Sequence, residues 1–148
     1  MNINFNSMAD VHDQVTRSYN MSQIRGTNTR PELTVRHFLF SMGFRYILHD
    51  KRLPGKPDLV FPKYKTVIQV HGCFWHGHKG CRYFIIPGTR TMWWRSKIYR
   101  TRKKDLKNED ALQQLGWRTI TVWECELKPL KKKRTLDILA RKLVRRRN

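Results

Sequence analysis

A helix-start signal and apolar residues at helical spacing mark the segment after residue 28. The letters TRPE at 29–32 match a capping box, T-x-x-E, in which the threonine and glutamate satisfy free backbone N–H groups. Gly43 can supply the turn that ends the helix. The apolar positions between these signals recur at i, i+3, i+4 and i+7: Val35, Phe38, Leu39 and Met42. The pattern predicts an amphipathic helix.

Three stretches have the composition of β-strands. Residues 44–48 alternate large apolar side chains, and the ten residues that follow, HDKRLPGKPD, are typical of turns. Residues 59–61 and 66–70 read as two strands joined by a short Pro62-Lys63 turn, which predicts a hairpin. Residues 117–123 place Ile120 and Val122 on one face and threonines on the other.

The second half of the chain is mainly helical in pattern. It predicts one helix near 92–98, a second near 105–115 that ends at Gly116, and a basic C-terminal helix with a narrow apolar stripe. That stripe consists of Leu136, Leu139 and Leu143. The predicted fold class is α/β, with a small mixed central β-sheet flanked by helices.

Charge limits the choice of partner. The 148 residues contain 31 Lys+Arg and 11 Asp+Glu, a formal charge of +20, which favours a polyanion such as nucleic acid. A membrane is the rival partner, but no apolar run approaches the roughly 18 residues needed to span one. Residues 1–13 lack periodicity and signal-peptide character, so we expect a peripheral arm followed by one domain over 14–148. Three cysteines, an odd number, favour a reducing cytosol.

The cysteines and one histidine have the spacing of a metal site. Cys73, His78 and Cys81 lie within nine residues, and Cys125 follows the 117–123 strand, where a sheet could bring it beside them. Zinc prefers four such ligands in a tetrahedron, and a closed four-ligand site is structural. The alternative is three buried cysteines without metal. A loop rich in Gly, Lys and His favours structural Zn²⁺.

Asp58 is a candidate for phosphodiester chemistry. It follows Pro57 at the start of a strand, and the next strand ends in Gln69-Val70-His71. Magnesium is held by one or two carboxylates, and this Pro-Asp and polar-x-basic order is the layout of PD-(D/E)xK nucleases. Here Gln69 and His71 replace the usual second acid and lysine. Taken alone, an Asp that opens a strand after Pro is usually a turn residue, and the turn interpretation would then be preferred.

Four longer segments together resemble the very short patch repair (Vsr) DNA mismatch endonucleases. They are LPGKPD at 53–58, VIQVHGCFWH at 67–76, TRTMWW at 89–94 and LGWRTITVWEC at 115–125. MADVHD at 8–13 is similar to the family's start, which leaves residues 1–7 as an extension. The resemblance implies a restriction-endonuclease-like fold with a structural zinc. It also implies nicking of DNA 5′ to the T of a T·G mismatch, a lesion left by deamination of 5-methylcytosine.

The resemblance also implies roles for individual residues. Asp58 corresponds to the Mg²⁺-binding aspartate, and Val70 to the position whose backbone carbonyl binds the same ion. His76 corresponds to the general base, Asp105 to the carboxylate that orients it, and His71 to a second active-site histidine. Glu32 corresponds to an acid near the metal, a role that can coexist with its capping function. The zinc ligands implied by the family match the set found by spacing: Cys73, His78, Cys81 and Cys125.

Aromatic and basic residues are expected to contact DNA. Phe74, Trp75 and Trp94 correspond to aromatics that wedge into the base stack beside the mismatch. The alternative is that all three are core residues; it competes best at Trp94, whereas the polar loop favours exposure of Phe74 and Trp75. Three basic residues near Trp94 are expected to bind phosphate: Arg90, Arg95 and Lys97. The basic runs at 131–134 and 145–147 are peripheral phosphate-binding elements or free ends.

The chain departs from the family pattern at three places, and two other functions compete. The segment between His76 and Cys81 is one residue longer, Gln69 replaces a hydrophobic residue, and Thr101 replaces an asparagine. The rivals are a zinc-stabilised nucleic-acid-binding module without catalysis and a restriction-type nuclease that cuts matched DNA. We expect a monomer in the bacterial cytoplasm, associated with the nucleoid, acting on T·G-mismatched duplex, with MutL as a possible partner.

Overall fold

A computed structural model describes residues 26–145. Its helices and strands follow the order α1 (Arg30–Ser41), β1 (Ile47–Leu48), β2 (Leu59–Phe61), β3 (Thr66–His71), α2 (Thr91–Gln114), β4 (Arg118–Trp123) and α3 (Pro129–Val144). The predicted N-terminal arm at 1–13 and its extension at 1–7 lie outside these residues. Among the described helices, none has the length and apolar character required to cross a membrane.

The predicted first helix, α1, is present and begins at its capping signal. The Thr29 hydroxyl accepts a hydrogen bond from the Glu32 N–H at 3.4 Å, and the Glu32 carboxylate accepts one from the Asn28 N–H at 3.0 Å. Val35 and Leu39 are fully buried, as the periodicity predicts. Met42 is 57% exposed, which corrects its place in the predicted stripe, because it caps the helix end and turns away from the sheet.

The sheet is mixed, with strand order β1-β2-β3-β4. The hairpin prediction is confirmed: β2 and β3 are antiparallel, with Phe61 opposite Thr66. Their connection is a 3₁₀ turn over Pro62–Tyr64, followed by a residue in the left-handed region. β1 is shorter than predicted, because Phe44 and Tyr46 pack their rings onto the core and only Ile47–Leu48 pairs with β2.

Helices cover both faces of the sheet, so the predicted fold class is confirmed. On one face, α1 and α3 bury a core with β2, β3 and β4, in which Ile120 and Val122 face inward as predicted. On the other face, Leu112 of α2 packs against Val60 and Val67. The predicted stripe on the C-terminal helix is confirmed, since all three leucines, Leu136, Leu139 and Leu143, are buried.

The two helices predicted at 92–98 and 105–115 are one continuous helix, α2, of 24 residues. The apolar periodicity fades between them because that part of the helix faces solvent, with Tyr99 65% exposed and basic residues following it. No Gly or Pro interrupts the segment, so its backbone stays helical without an apolar stripe. At 1.5 Å per residue, α2 extends about 36 Å, from the aromatic residues at its start to β4.

Candidate active site and metal centre

Asp58 directly precedes β2 and lies beside the end of β3. Its Oδ2 accepts a hydrogen bond from the Val70 N–H at 2.7 Å, as the pairing of the two strands predicts. Burial is the largest cause that raises the pKa of Asp58, which is about 6; the nearby Glu32 carboxylate adds to the rise, and the Val70 N–H opposes it. A bound cation would favour the charged form of this buried carboxylate.

Glu32 and His49 complete a compact group around Asp58. Glu32 is 2% exposed, and its Oε1 lies 2.6 Å from His49 Nε2. One ligand atom from each of Glu32, His49 and Asp58 lies within 4.8 Å of the others. The sequence prediction missed His49 because the segment 49–58 reads as turn chemistry. Pairing of strand 44–48 with 59–61 would have been the signal, since His49 then falls opposite Asp58.

His71, His76 and Asp105 form a second group. The imidazoles of His71 and His76 stack with ring centroids 3.8 Å apart, and His76 Nδ1 lies 2.7 Å from Asp105 Oδ2. Burial and the charge of His76 lower the pKa of His71 to about 4, so His71 is neutral near pH 7. The 2.7 Å distance shows that His76 and Asp105, which were predicted to act as a pair, are in direct contact. His76 also lies close enough to Asp58 to lower the pKa of that carboxyl.

Gly77 allows the loop carrying His76 to pack against α2. It is buried with φ +60°, and a Cβ there would lie 2.6 Å from Ile98 Cγ2 and 2.9 Å from Arg102 Cδ. Ile98, Arg102 and Asp105 are spaced by helical turns on α2. Because a side chain at Gly77 would push the loop away, the glycine brings His76 to Asp105.

The four residues predicted to bind zinc converge. One ligand atom each from Cys73, His78, Cys81 and Cys125 lies within 4.8 Å of the others. Cys125 lies beside the other three because β4 runs parallel to β3, with Trp123 opposite His71, and Cys125 follows the end of β4. The distance from Cys125 Sγ to His78 Nδ1 is 3.5 Å. Ligands of a tetrahedral zinc at about 2.0 and 2.3 Å would be about 3.5 Å apart, so the set fits this ion.

Cys73 is buried, whereas Cys81 and Cys125 are partly exposed. Burial raises the pKa of Cys73 to about 12, and His78 stacks on Trp123 with centroids 4.0 Å apart. A buried thiol of this kind stays protonated unless a cation replaces its proton. The donors and their packing therefore favour a bound metal over three inert cysteines.

The three predicted DNA-stacking aromatics form one cluster. The ring centroid of Phe74 lies 5.0 Å from that of Trp75 and 5.3 Å from that of Trp94. All three side chains are half-buried. Trp93 joins them at 4.8 Å from Trp94 and is 39% exposed. Lys97 Nζ lies 5.5 Å from the Trp75 ring centroid. The cluster is thus neither core nor fully exposed, and it carries a cation at its edge.

The remaining predicted residues surround this cluster. The Arg90 guanidinium lies 4.6 Å from the Trp93 ring, and Arg95 is exposed on α2. Gln69 Oε1 lies 3.4 Å from His71 Nε2, so its amide faces the histidine group. Thr101 donates its hydroxyl hydrogen to the Lys97 carbonyl at 3.1 Å, so the hydroxyl is bonded within α2. A cleft of about 1240 Å³, lined in part by Val70, Trp75 and His76, opens beside these groups.

A mixed sheet with acidic and imidazole groups at the ends of adjacent strands defines the class: a restriction-endonuclease-like fold. Comparison with known families supports a narrower assignment. The family model for the DNA mismatch endonuclease Vsr matches residues 9–82.

Curated relatives cover most of the chain. The type II nicking enzyme V.XorIIP of Xanthomonas oryzae pv. oryzae is 50% identical over 83% of this chain and 90% of its own length. The type II nicking enzyme V.NmeAIP of Neisseria meningitidis serogroup A is 49% identical, covering 82% and 86%. The DNA mismatch endonuclease Vsr of Escherichia coli K12 is 45% identical, covering 82% and 77%. The chain belongs to the Vsr family and is a DNA endonuclease.

Proposed function

We propose that this endonuclease nicks one strand of duplex DNA 5′ to the T of a T·G mismatch produced by deamination of 5-methylcytosine, and so initiates very short patch repair. One observation carries the proposal. A single loop holds His76 against Asp105 and holds Phe74 and Trp75 in the adjacent aromatic cluster. The proposed general base and two of the proposed base-stacking groups therefore lie on the same short loop, next to one another.

The donor sets support two different ions. The Asp58 carboxylate and the Val70 carbonyl offer hard oxygen ligands suited to Mg²⁺, whereas the cysteine set suits structural Zn²⁺. When bound, Mg²⁺ would offset the negative charge that develops on the scissile phosphate. The cysteine site would clamp the loop between β3 and the end of β4, which holds His76 at the end of β3.

The protein's own groups account for the proton transfer. Asp105 Oδ2 accepts the His76 Nδ1 hydrogen, which leaves Nε2 free to take a proton from the water that attacks phosphorus. One phosphorus–oxygen ester bond breaks as the new bond forms, and the leaving oxygen takes a proton from solvent. Neutral His71 stacks flat against His76 and restricts rotation of its ring. Glu32 lies near Asp58 and adds negative charge beside the bound ion.

Recognition of the mismatch rests on the aromatic cluster. Insertion of Phe74, Trp75 and Trp94 into the stack costs a few kcal/mol of unstacking, and this cost is smallest at a weakened base pair. The basic residues Arg90, Arg95 and Lys97 would contact phosphates and set affinity without sequence choice. One active centre suffices for a single-strand nick, so the protein acts as a monomer, with MutL as a candidate partner.

The test uses two labelled duplexes, identical except that one carries a single T·G pair, with Mg²⁺ present. We expect a nick 5′ to the T in the mismatched duplex alone. Asp58→Ala should abolish nicking and retain binding, whereas Asp110→Ala, an exposed aspartate on α2, should behave as the original protein. Equal nicking by Asp58→Ala would place the active site elsewhere.

Two of the relatives are named type II nicking enzymes, so the same assay also tests for nuclease activity that is not specific for a mismatch. Cutting of both duplexes would support a restriction-type nuclease. Binding of both duplexes without cleavage would support a nucleic-acid-binding module. Either result would contradict repair of T·G mismatches.

A further inference from the structure

His49 has no role in the function proposed above, yet it lies inside the acidic group around Asp58. We propose that His49 is a direct nitrogen ligand of the divalent cation held by Glu32 and Asp58, and that it makes this site prefer Mn²⁺ to Mg²⁺. The inference rests on the proposed function in one respect, because that function places a cation at Asp58.

The distances fit one coordination shell. His49 Nε2 lies 2.6 Å from Glu32 Oε1, and the ligand atoms of the three residues all fall within 4.8 Å of one another. Ligands about 2.1 Å from an octahedral ion are about 3 Å apart when adjacent and about 4.2 Å when opposite. Small side-chain rotations would therefore place all three groups on one ion.

The backbone holds His49 in this position. Its N–H donates to the Asp58 carbonyl oxygen at 3.2 Å, which extends the β1–β2 pairing by one residue. Its φ is +47°, a conformation that few non-glycine residues adopt and that persists only where the surroundings enforce it. His49 therefore occupies its position at a conformational cost, as residues at ligand sites often do.

Glu32 is held from the opposite side. The Asn28 N–H donates to its Oε2 at 3.0 Å, which directs Oε1 toward His49. The Arg36 guanidinium lies 3.6 Å from the same Oε1 and cannot itself bind a cation. Helix α1 and the two ends of the connection between β1 and β2 thus present one buried carboxylate, one imidazole and one further carboxylate to a common point.

The chemistry of the donors sets the preferred ion. Mg²⁺ takes oxygen ligands and keeps several waters, whereas Mn²⁺ accepts both carboxylate oxygen and imidazole nitrogen. A site built only from Asp58 and a backbone carbonyl would suit Mg²⁺. Addition of an imidazole shifts the balance toward Mn²⁺.

The experiment measures metal binding directly, without DNA. The full-length protein is saturated with one equivalent of Zn²⁺ and titrated with Mn²⁺ by electron paramagnetic resonance, and Mg²⁺ affinity is measured by competition. Pulsed measurements then detect coupling of ¹⁴N to bound Mn²⁺. The variants are His49→Ala, His49→Gln, which keeps a hydrogen-bond donor for Glu32, and His37→Gln, a control histidine on α1.

We expect His49→Ala and His49→Gln to weaken Mn²⁺ binding by about tenfold or more, with little change for Mg²⁺. The ¹⁴N coupling should be present in the original protein and in His37→Gln, and lost in His49→Gln. Circular dichroism and zinc content establish that each variant is folded. Absence of the coupling in the original protein, or its persistence in His49→Gln, would overturn the inference even if His49→Ala fails to fold.

The two proposals fail in different ways. Nicking specific for T·G with unchanged Mn²⁺ affinity in both His49 variants would overturn this inference alone. Mn²⁺ bound with His49-dependent coupling, but with no preference for the mismatched duplex, would overturn the proposed function alone. Asp58→Asn should weaken Mn²⁺ and Mg²⁺ together, and normal Mn²⁺ binding by that variant would contradict the shared site.

Discussion

The contact between His76 and Asp105 yields the sharpest prediction. The two side chains meet at 2.7 Å, and they come from a loop and a helix that are 29 positions apart in the chain. Asp105→Asn keeps the size of the side chain and removes its negative charge. The amide can still meet Nδ1, but it no longer favours the tautomer that leaves Nε2 free to accept a proton.

The size of the effect follows from exposure. The His76 and Asp105 side chains are 26% and 29% exposed, so water screens the pair in part. A hydrogen bond to a charged group contributes about 1.5–3 kcal/mol, and screening favours the lower part of that range. We therefore expect the nicking rate to fall about 10- to 50-fold, less than the roughly 10²- to 10⁴-fold expected for His76→Ala.

The assay is single-turnover nicking of a T·G duplex with enzyme in excess, which isolates the chemical step from product release. The set comprises Asp105→Asn, His76→Ala, the double variant and Asp110→Asn. Asp110 is the matched control, since it is an exposed aspartate of the same helix that accepts from Gln114 at 3.0 Å. We expect its rate to stay within about twofold of the original.

The double variant decides the interpretation. If Asp105 acts through His76, the double variant should be no slower than His76→Ala alone, because the orienting group then has nothing to orient. A full additional loss of rate in the double variant would assign Asp105 an independent role. A normal rate for Asp105→Asn would refute the orienting role altogether.

Three further predictions concern the cysteine site, the aromatic cluster and one glycine. Cys125→Ser should reduce zinc content and lower the melting temperature by about 5–10 °C, measured by calorimetry, and an unchanged value would argue against a structural metal. Trp75→Ala should reduce the rate of T·G nicking by about 5- to 150-fold, because stacking contributes about 1–3 kcal/mol, and should change the affinity for the matched duplex little. If nicking and matched-duplex affinity fall equally, Trp75 contributes to general DNA binding and not to mismatch recognition. Gly55→Ala should destabilise the fold more than Gly43→Ala in denaturant unfolding. Both residues have positive φ, but only at Gly55 would a Cβ meet Asn108, at 2.9 Å from its Cβ, and equal effects would contradict that clash.

Much of the fold follows from short-range pattern. The capping signal before α1, the β2–β3 hairpin and the leucine stripe of α3 depend on residues a few positions apart, whose spacing matches the periods of helix and strand. The four candidate cysteine and histidine ligands were likewise recognisable, because metal binding restricts both residue type and spacing. Apolar periodicity does not predict the middle of α2, since a solvent-facing helix needs no apolar stripe.

The candidate site shows the same division between local and long-range information. Asp58 and His76 stand out as chemical groups in the chain, and the family resemblance assigns them to one centre. The contact of Asp58 with Val70 depends on strand register, and that of His76 with Asp105 depends on a loop packed against α2 through Gly77.

The role of His49 was not predicted because its neighbours in the chain are turn residues and its partners are Glu32 of α1 and Asp58, which directly precedes β2. Local backbone preferences and apolar spacing are properties of a few consecutive residues, so the amino-acid order alone specifies them. Distances between side chains on different elements arise only when the sheet pairs and the helices bury their apolar faces against it, and that packing creates both candidate sites.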